Sequence, residues 1–145
     1  MGSKKQITQW YQESPGLDTR GKRGIVFRPL IDIHVNYKHG QMVGLTALVD
    51  SGSDYNLFPA DICRVLGINL TKGILIRVKG IGDAPAIDAY RHFGIKIFFE
   101  GLTIETFADF SLAHNQTILG QKGFFDQFES IDSRRPEEKI VFTPK

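Results

Sequence analysis

The run Ala47-Leu48-Val49-Asp50-Ser51-Gly52-Ser53-Asp54 puts one carboxylate at the end of an apolar stretch and a second four positions on. A carboxylate so placed is costly to desolvate unless something holds it or uses it. Three chemistries are open to Asp50. It can close a turn by bonding its own backbone, as Asp and Ser readily do. With Asp54 it can offer oxygens to a hard cation. It can also act as an acid–base group. Ser51 and Ser53 supply hydroxyl donors for a carboxylate, and Gly52 admits a backbone approach that a side chain would block. A metal is poorly served, because no loop of alternating ligands with a closing Glu follows. His34, His39, His92 and His114 lack the spacing of a zinc motif.

The elements around these residues read as short strands. Ile31, Ile33, Val35 and Tyr37 alternate with polar residues, "KHGQ" (38–41) turns the chain, and "MVGLTALV" (42–49) returns as a strand that delivers Asp50. "FPADICRVLGI" then changes period. Pro59 suits a first helical position, Asp61 the positive helix start, and Gly67 the stop. Strand patterns resume at Ile74–Val78, Phe93–Phe99 and Leu102–Ala108, with a turn at "EGLT" (100–103). "QKGFFDQF" (121–128) is expected to form a second short helix. "EKIVF" (138–142) is a closing strand, with "FESI" (128–131) as its hairpin partner or another chain pairing along its edge. The expected fold is therefore mostly β, a closed, barrel-like domain with one or two short helices, over residues 25–145. Residues 1–24, polar and broken by Pro15, Gly16, Gly21 and Gly24, read as an N-terminal arm or loose segment.

The composition bounds the function. A chain of 145 residues with 41% hydrophobic and 23% charged residues can bury one real core. Its net charge of +2, with basic and acidic residues interspersed, gives no reason to expect a nucleic acid or a membrane surface as partner. No apolar run approaches the length of a membrane span, and no apolar leader follows Met1. "MGSKKQ" resembles an acylation start but has Gln6 where Ser or Thr is wanted. Cys63, the one cysteine, points to a reducing, cytoplasmic setting and to a buried, inert thiol. The phenylalanines between Phe98 and Phe128 fit a packed core better than a ligand cage.

Three segments in order carry a resemblance. "LVDSGS" (48–53), the glycine-punctuated "KGIGD" (79–83) and "ILGQKGFF" (118–125) resemble the active-site signature, flap and third motif of the retropepsins, the single-lobe homodimeric aspartic proteases. The likeness spans about residues 25–130, and "DSGSDYNLFP" followed by a short helix is similar to the small bacterial members. It implies a retropepsin fold and an aspartic endopeptidase that needs no cofactor or metal. Asp50 would be the catalytic carboxylate. Ser51 would brace the loop across a dimer axis, Gly52 would bond substrate backbone, and Ser53 would bond the Asp50 carboxylate. Asp54 would contact the substrate main chain, Gly80, Ile81 and Gly82 would form the flap tip, and Gly120 would pack under the active-site loop. Gln121 departs from the pattern, since the family commonly has Arg there to pair with the acidic residue at position 54. Hydrolysis by this route needs two carboxylates sharing a proton. "DTR" (18–20) and "DSR" (132–134) both lack the glycine, so the second Asp50 is expected from a homodimeric partner. The alternatives are a retropepsin-like module that binds peptides or assembles without hydrolysis, and a cation-binding β domain.

Overall fold

Alternation of buried and exposed side chains builds most of this molecule. In the computed structural model, which describes residues 5–79 and 82–145, the chain runs through twelve strands. In order they are β1 (Ile7–Trp10), β2 (Gln12–Leu17), β3 (Arg23–Arg28), β4 (Leu30–Tyr37), β5 (Val43–Val49), β6 (Leu57–Pro59), β7 (Ile74–Val78), β8 (Ile87–Phe99), β9 (Leu102–Ser111), β10 (Thr117–Leu119), β11 (Phe128–Arg134) and β12 (Lys139–Pro144). β4 shows the principle: Ile31, Ile33 and Val35 point inward and are fully buried, while Asp32 and His34 face water.

Seven strands form one sheet in the order β4-β5-β10-β6-β9-β8-β7. β4 also pairs with β8 (His34↔Phe98 to Tyr37↔Ile95), so six of them close into a barrel and β7 extends from β8 outside the ring. Closure removes the open edges that would invite stray pairing. β8 accommodates the bend at Gly94, whose φ of 79° accompanies a register shift between Phe93 and Ile95. β7 and β8 make an antiparallel hairpin from Ile74↔Arg91 to Val78↔Ile87. The expected flap tip lies in its loop. Gly80 and Ile81 fall outside the described residues, and Gly82 has a φ of 63°.

A second sheet, β1-β12-β11, seals one end of the barrel. β12 pairs antiparallel with β1 (Ile7↔Phe142 to Trp10↔Lys139) on one side and with β11 (Ile131↔Phe142, Ser133↔Ile140) on the other. The closing strand thus pairs with "FESI" within its own chain, as one of the two readings had it. Phe142 joins this sheet to the barrel: its ring centroid lies 4.9 Å from that of Phe99 and 5.5 Å from that of Phe128, and Phe124 is 5.1 Å from Phe128. The first 24 residues contribute β1, β2 and the start of the β2–β3 hairpin, so the segment read as a loose arm contains strands.

Among the described residues, apart from short 3-10 turns, there is one four-residue α-helix, α1 (Cys63–Leu66), which continues a 3-10 turn at Ala60–Ile62. Pro59, expected at a first helical position, is instead the extended last residue of β6 (ψ 136°) and caps the 3-10 turn, while Gly67 ends α1 in the left-handed conformation at φ 80°. The helix expected over 121–128 does not form. Gly123 sits at φ 103°, which no helix accommodates, while the backbone N–H groups of Gln121 and Lys122 tie the segment to Ser53 O and Asp54 O. Only a 3-10 turn at Phe125–Gln127 remains. Among the described residues, no helix is long and apolar enough to cross a membrane.

Cys63 is 3% exposed. Burial, followed by the charge of Asp61, pushes its thiol up to about 11 from 9.0. Below pH 9 the thiol is protonated in both folded and unfolded chains, so it has no effect on stability. Between pH 9 and 11 only the unfolded chain ionises, and folding loses roughly 1.4 kcal/mol per pH unit. The expected result is that Cys63→Ala flattens the fall in denaturation free energy over that window relative to the parent chain. At neutral pH, alkylation of the parent should track global unfolding.

Candidate active site

Asp50 stands at the C-terminal end of β5, where β10 runs parallel to it with Leu119 opposite Val49. The loop that follows is pinned from both sides. Asp50 N–H donates to Leu119 O at 3.0 Å, Ser53 N–H to Asp50 O at 3.1 Å, and Gln121 N–H to Ser53 O at 2.8 Å. Behind it, the fully buried Asn56 accepts from Gly120 N–H at 3.0 Å through Oδ1 and donates to Phe107 O at 3.0 Å through Nδ2. An amide buried there is stable because both of its ends are satisfied.

The half-buried Asp50 carboxylate accepts a 2.9 Å hydrogen bond from Gly52 N–H on Oδ1. Its side chain lines a cleft of about 500 Å³ together with Pro29, Leu48, Val49, Ser51, Phe125, Ile131 and Ser133. Strand, loop and cleft thus present one fixed carboxylate oxygen pair to an open space with apolar walls. Such a group can take or give a proton, and a second carboxylate brought into that space would share it.

No protein-family model matches the chain, and no curated protein sequence does. Solved structures do. A retropepsin-like aspartic protease from Rickettsia conorii matches over 98% of this chain and 96% of its own, with a TM-score of 0.60 at 15% identity. The fold is retropepsin-like. EIAV protease complexed with the inhibitor HBY-793 aligns over 64% of this chain and 81% of its own at 22% identity, with a TM-score of 0.47 that is too low to add to this.

Within this retropepsin-like fold, the residues singled out in the sequence fall into two groups. Asp50, Ser51, Gly52, Ser53, Asp54, Gly120 and Gln121 are brought together at the meeting of β5 and β10. Gly82 lies between β7 and β8 and, among the described residues, takes no part in the bonds that pin the active-site loop. Ser53 differs from expectation: its hydroxyl donates to Tyr55 O at 2.8 Å, and the carboxylate oxygen is taken by the Gly52 amide instead. Gln121 Nε2 donates to Ser51 O at 2.8 Å, so a neutral amide braces the loop where the family places a guanidinium. Asp54 is exposed and, among the described residues, makes no ion pair.

Two residues that the sequence reading passed over support the site from below. Asp109, 1% exposed, holds Arg91 in a bidentate pair, with Nε to Oδ1 at 2.7 Å and Nη2 to Oδ2 at 3.0 Å. Hydrogen bonding to Asp109 raises the guanidinium above its already high range, so it is charged at every working pH. The same guanidinium carbon lies 4.4 Å from the Tyr55 ring centroid and 4.8 Å from that of Phe107. Asp109 interrupts an apolar run (Phe107-Ala108-Asp109-Phe110), and that was the available signal.

Gly120 has no room for a side chain. A Cβ there would lie 2.7 Å from Tyr55 C and 2.8 Å from Ser53 O, both backbone atoms of the active-site loop. Gly120→Ala is expected to displace that loop, lowering any catalytic rate by about 100-fold and stability by about 1–3 kcal/mol. Parallel kcat/KM and thermal melts would check this, and an unchanged rate would mean that Gly120 does not support the loop.

Proposed function

We propose that the protein is an aspartic endopeptidase whose catalytic pair is two Asp50 side chains, one from each of two chains related by a two-fold axis. The observation that carries this reading is the single Asp50 carboxylate, oriented by the Gly52 N–H and opening onto a cleft with room beside it. The retropepsin-like fold and the absence of a second Asp-Ser/Thr-Gly run support the same reading. In the paired site one carboxylate draws a proton from water as it attacks the scissile carbonyl. The other gives its proton to the carbonyl oxygen. Two like charges a few ångströms apart do not both ionise readily, so activity has an acidic optimum and falls as the shared proton is lost. Gly52 and Asp54 receive the main chain of a peptide or protein substrate, and the β7–β8 hairpin with Gly80, Ile81 and Gly82 closes over it. The buried, unpaired thiol suits a reducing compartment such as the cytoplasm.

A second reading is favoured by Gln121, which leaves Asp54 without a guanidinium partner: the chain binds peptides in the same cleft without cutting them. A peptide library incubated with the purified protein from acidic to neutral pH separates the two. Cleavage that pepstatin blocks, with a specific rate that rises with protein concentration, is the expected result. Saturable binding without cleavage would leave only the second reading.

A further inference from the structure

The β2–β3 hairpin is amphipathic in the wrong sense for a lone chain. Its register sets Glu13 opposite Phe27, Pro15 opposite Ile25 and Leu17 opposite Arg23, so these six residues share one face. That face is open to solvent, with Leu17 62%, Ile25 64% and Phe27 39% exposed. On the other face Gln12, Ser14, Gly16 and Val26 are half-buried and Gly24 and Arg28 exposed, and Val26 is its only large apolar side chain. Neither strand pairs with any other in the described residues, and an isolated two-stranded hairpin is marginally stable in water.

We propose that this outward face is an arm that docks on a second copy of the chain. The inference rests on the dimeric reading above and assigns the surface that reading leaves unnamed. Position and charge both select this occupant. β3 leads through Phe27 and Arg28 into Pro29, which lines the same cleft as Asp50. Phe27 O also accepts from Arg135 Nη1 at 2.7 Å, which ties the arm to the β11–β12 turn. A copy whose Asp50 approaches across a two-fold axis therefore stands beside the arm, and receives it while extending its own. Residues 12–28 carry four basic and two acidic side chains, whereas residues 29–145 carry 12 basic and 14 acidic ones. The hairpin's net +2 is opposite in sign to the net −2 of the body, so each arm lies along the partner's body. A stable interface covers about 800 Å² per partner, more than the few side chains around Asp50 supply. The arm adds exposed apolar side chains on the strand that leads into Pro29 at that cleft.

Ile25→Glu/Phe27→Glu tests this by sedimentation velocity over a concentration series. The parent chain should dimerise reversibly, and the variant's dissociation constant should rise at least about 100-fold. Its thermal melt as a dilute monomer should match the parent's, because both side chains face solvent. Independently, Leu17→Cys labelled with benzophenone-maleimide and photolysed in a mixture of ¹⁴N and ¹⁵N protein should give mixed-label adducts. Equal dimerisation by parent and variant, with no mixed-label adduct, overturns the arm and leaves the Asp50 pair standing. A dimer that depends on the arm but cuts nothing supports the arm and sinks the peptidase. A parent that stays monomeric at every concentration overturns both. If that monomer instead co-sediments with phosphatidylcholine–phosphatidylserine vesicles and the variant does not, the face belongs to a lipid surface and the proposal falls.

Discussion

Asp50→Asn is expected to lower peptidase activity by at least about 10³-fold while leaving the thermal midpoint near that of the parent chain. The two consequences separate because the carboxylate has two parts in the structure. Oδ1 accepts the Gly52 N–H, and an amide oxygen can accept the same bond. An amide cannot share a proton with a facing carboxylate, so the chemistry is lost while the loop keeps its shape. Mixing gives the sharper measurement. If both carboxylates of one site come from different chains, equal amounts of parent and Asp50→Asn chains leave about a quarter of the dimers with two aspartates after exchange. Specific activity per parent chain should then fall to about half, and further as the variant is added in excess. Activity per parent chain that stays constant would place both catalytic groups within one chain.

Arg91→Ala is expected to produce the largest loss of stability, about 3–5 kcal/mol, and a fall in Tm on the order of 10 °C. The cause is Asp109, which at 1% exposure has no water to replace the lost guanidinium. The double change Arg91→Met/Asp109→Leu should recover much of the melt, since it removes the orphaned charge along with its partner. It should recover less of the activity. Arg91 also lies against the Tyr55 ring, and Tyr55 O receives the Ser53 hydroxyl, so the pair holds the active-site loop from beneath. A double variant that melts like the single one would locate the loss in the aromatic contacts rather than in the stranded carboxylate.

Local patterns carried much of this fold in the sequence. The alternation of Ile31, Ile33 and Val35, the Gly67 stop of α1, and the compact Asp50–Asp54 loop depend only on near neighbours, and they read correctly. What was hidden depends on partners far along the chain. The helix expected at 121–128 is displaced because Gly123 takes a φ of 103° and gives its carbonyl to the Thr106 hydroxyl on β9. β1 is only four residues long and becomes a strand because β12 offers it an edge. Arg91 and Asp109 are each odd residues in their own strands, and only the β8–β9 register makes them a pair. The Gly52 amide could not be distinguished from the Ser53 hydroxyl as donor to Asp50, since both lie within reach of a tight turn.

The pairing of β1 with β12 has a consequence for how the protein comes into being. Trp10 meets Lys139 and Ile7 meets Phe142, so the first strand described waits for the last one to find its neighbour. Contacts of such long sequence separation form slowly and late. On the ribosome the barrel's end sheet cannot assemble until β12 has emerged. Phe142, which joins that sheet to Phe99, arrives only with β12. A nascent chain therefore lacks the sealed end next to the Asp50 cleft, and the cell holds no finished copy of this molecule until synthesis has passed β12.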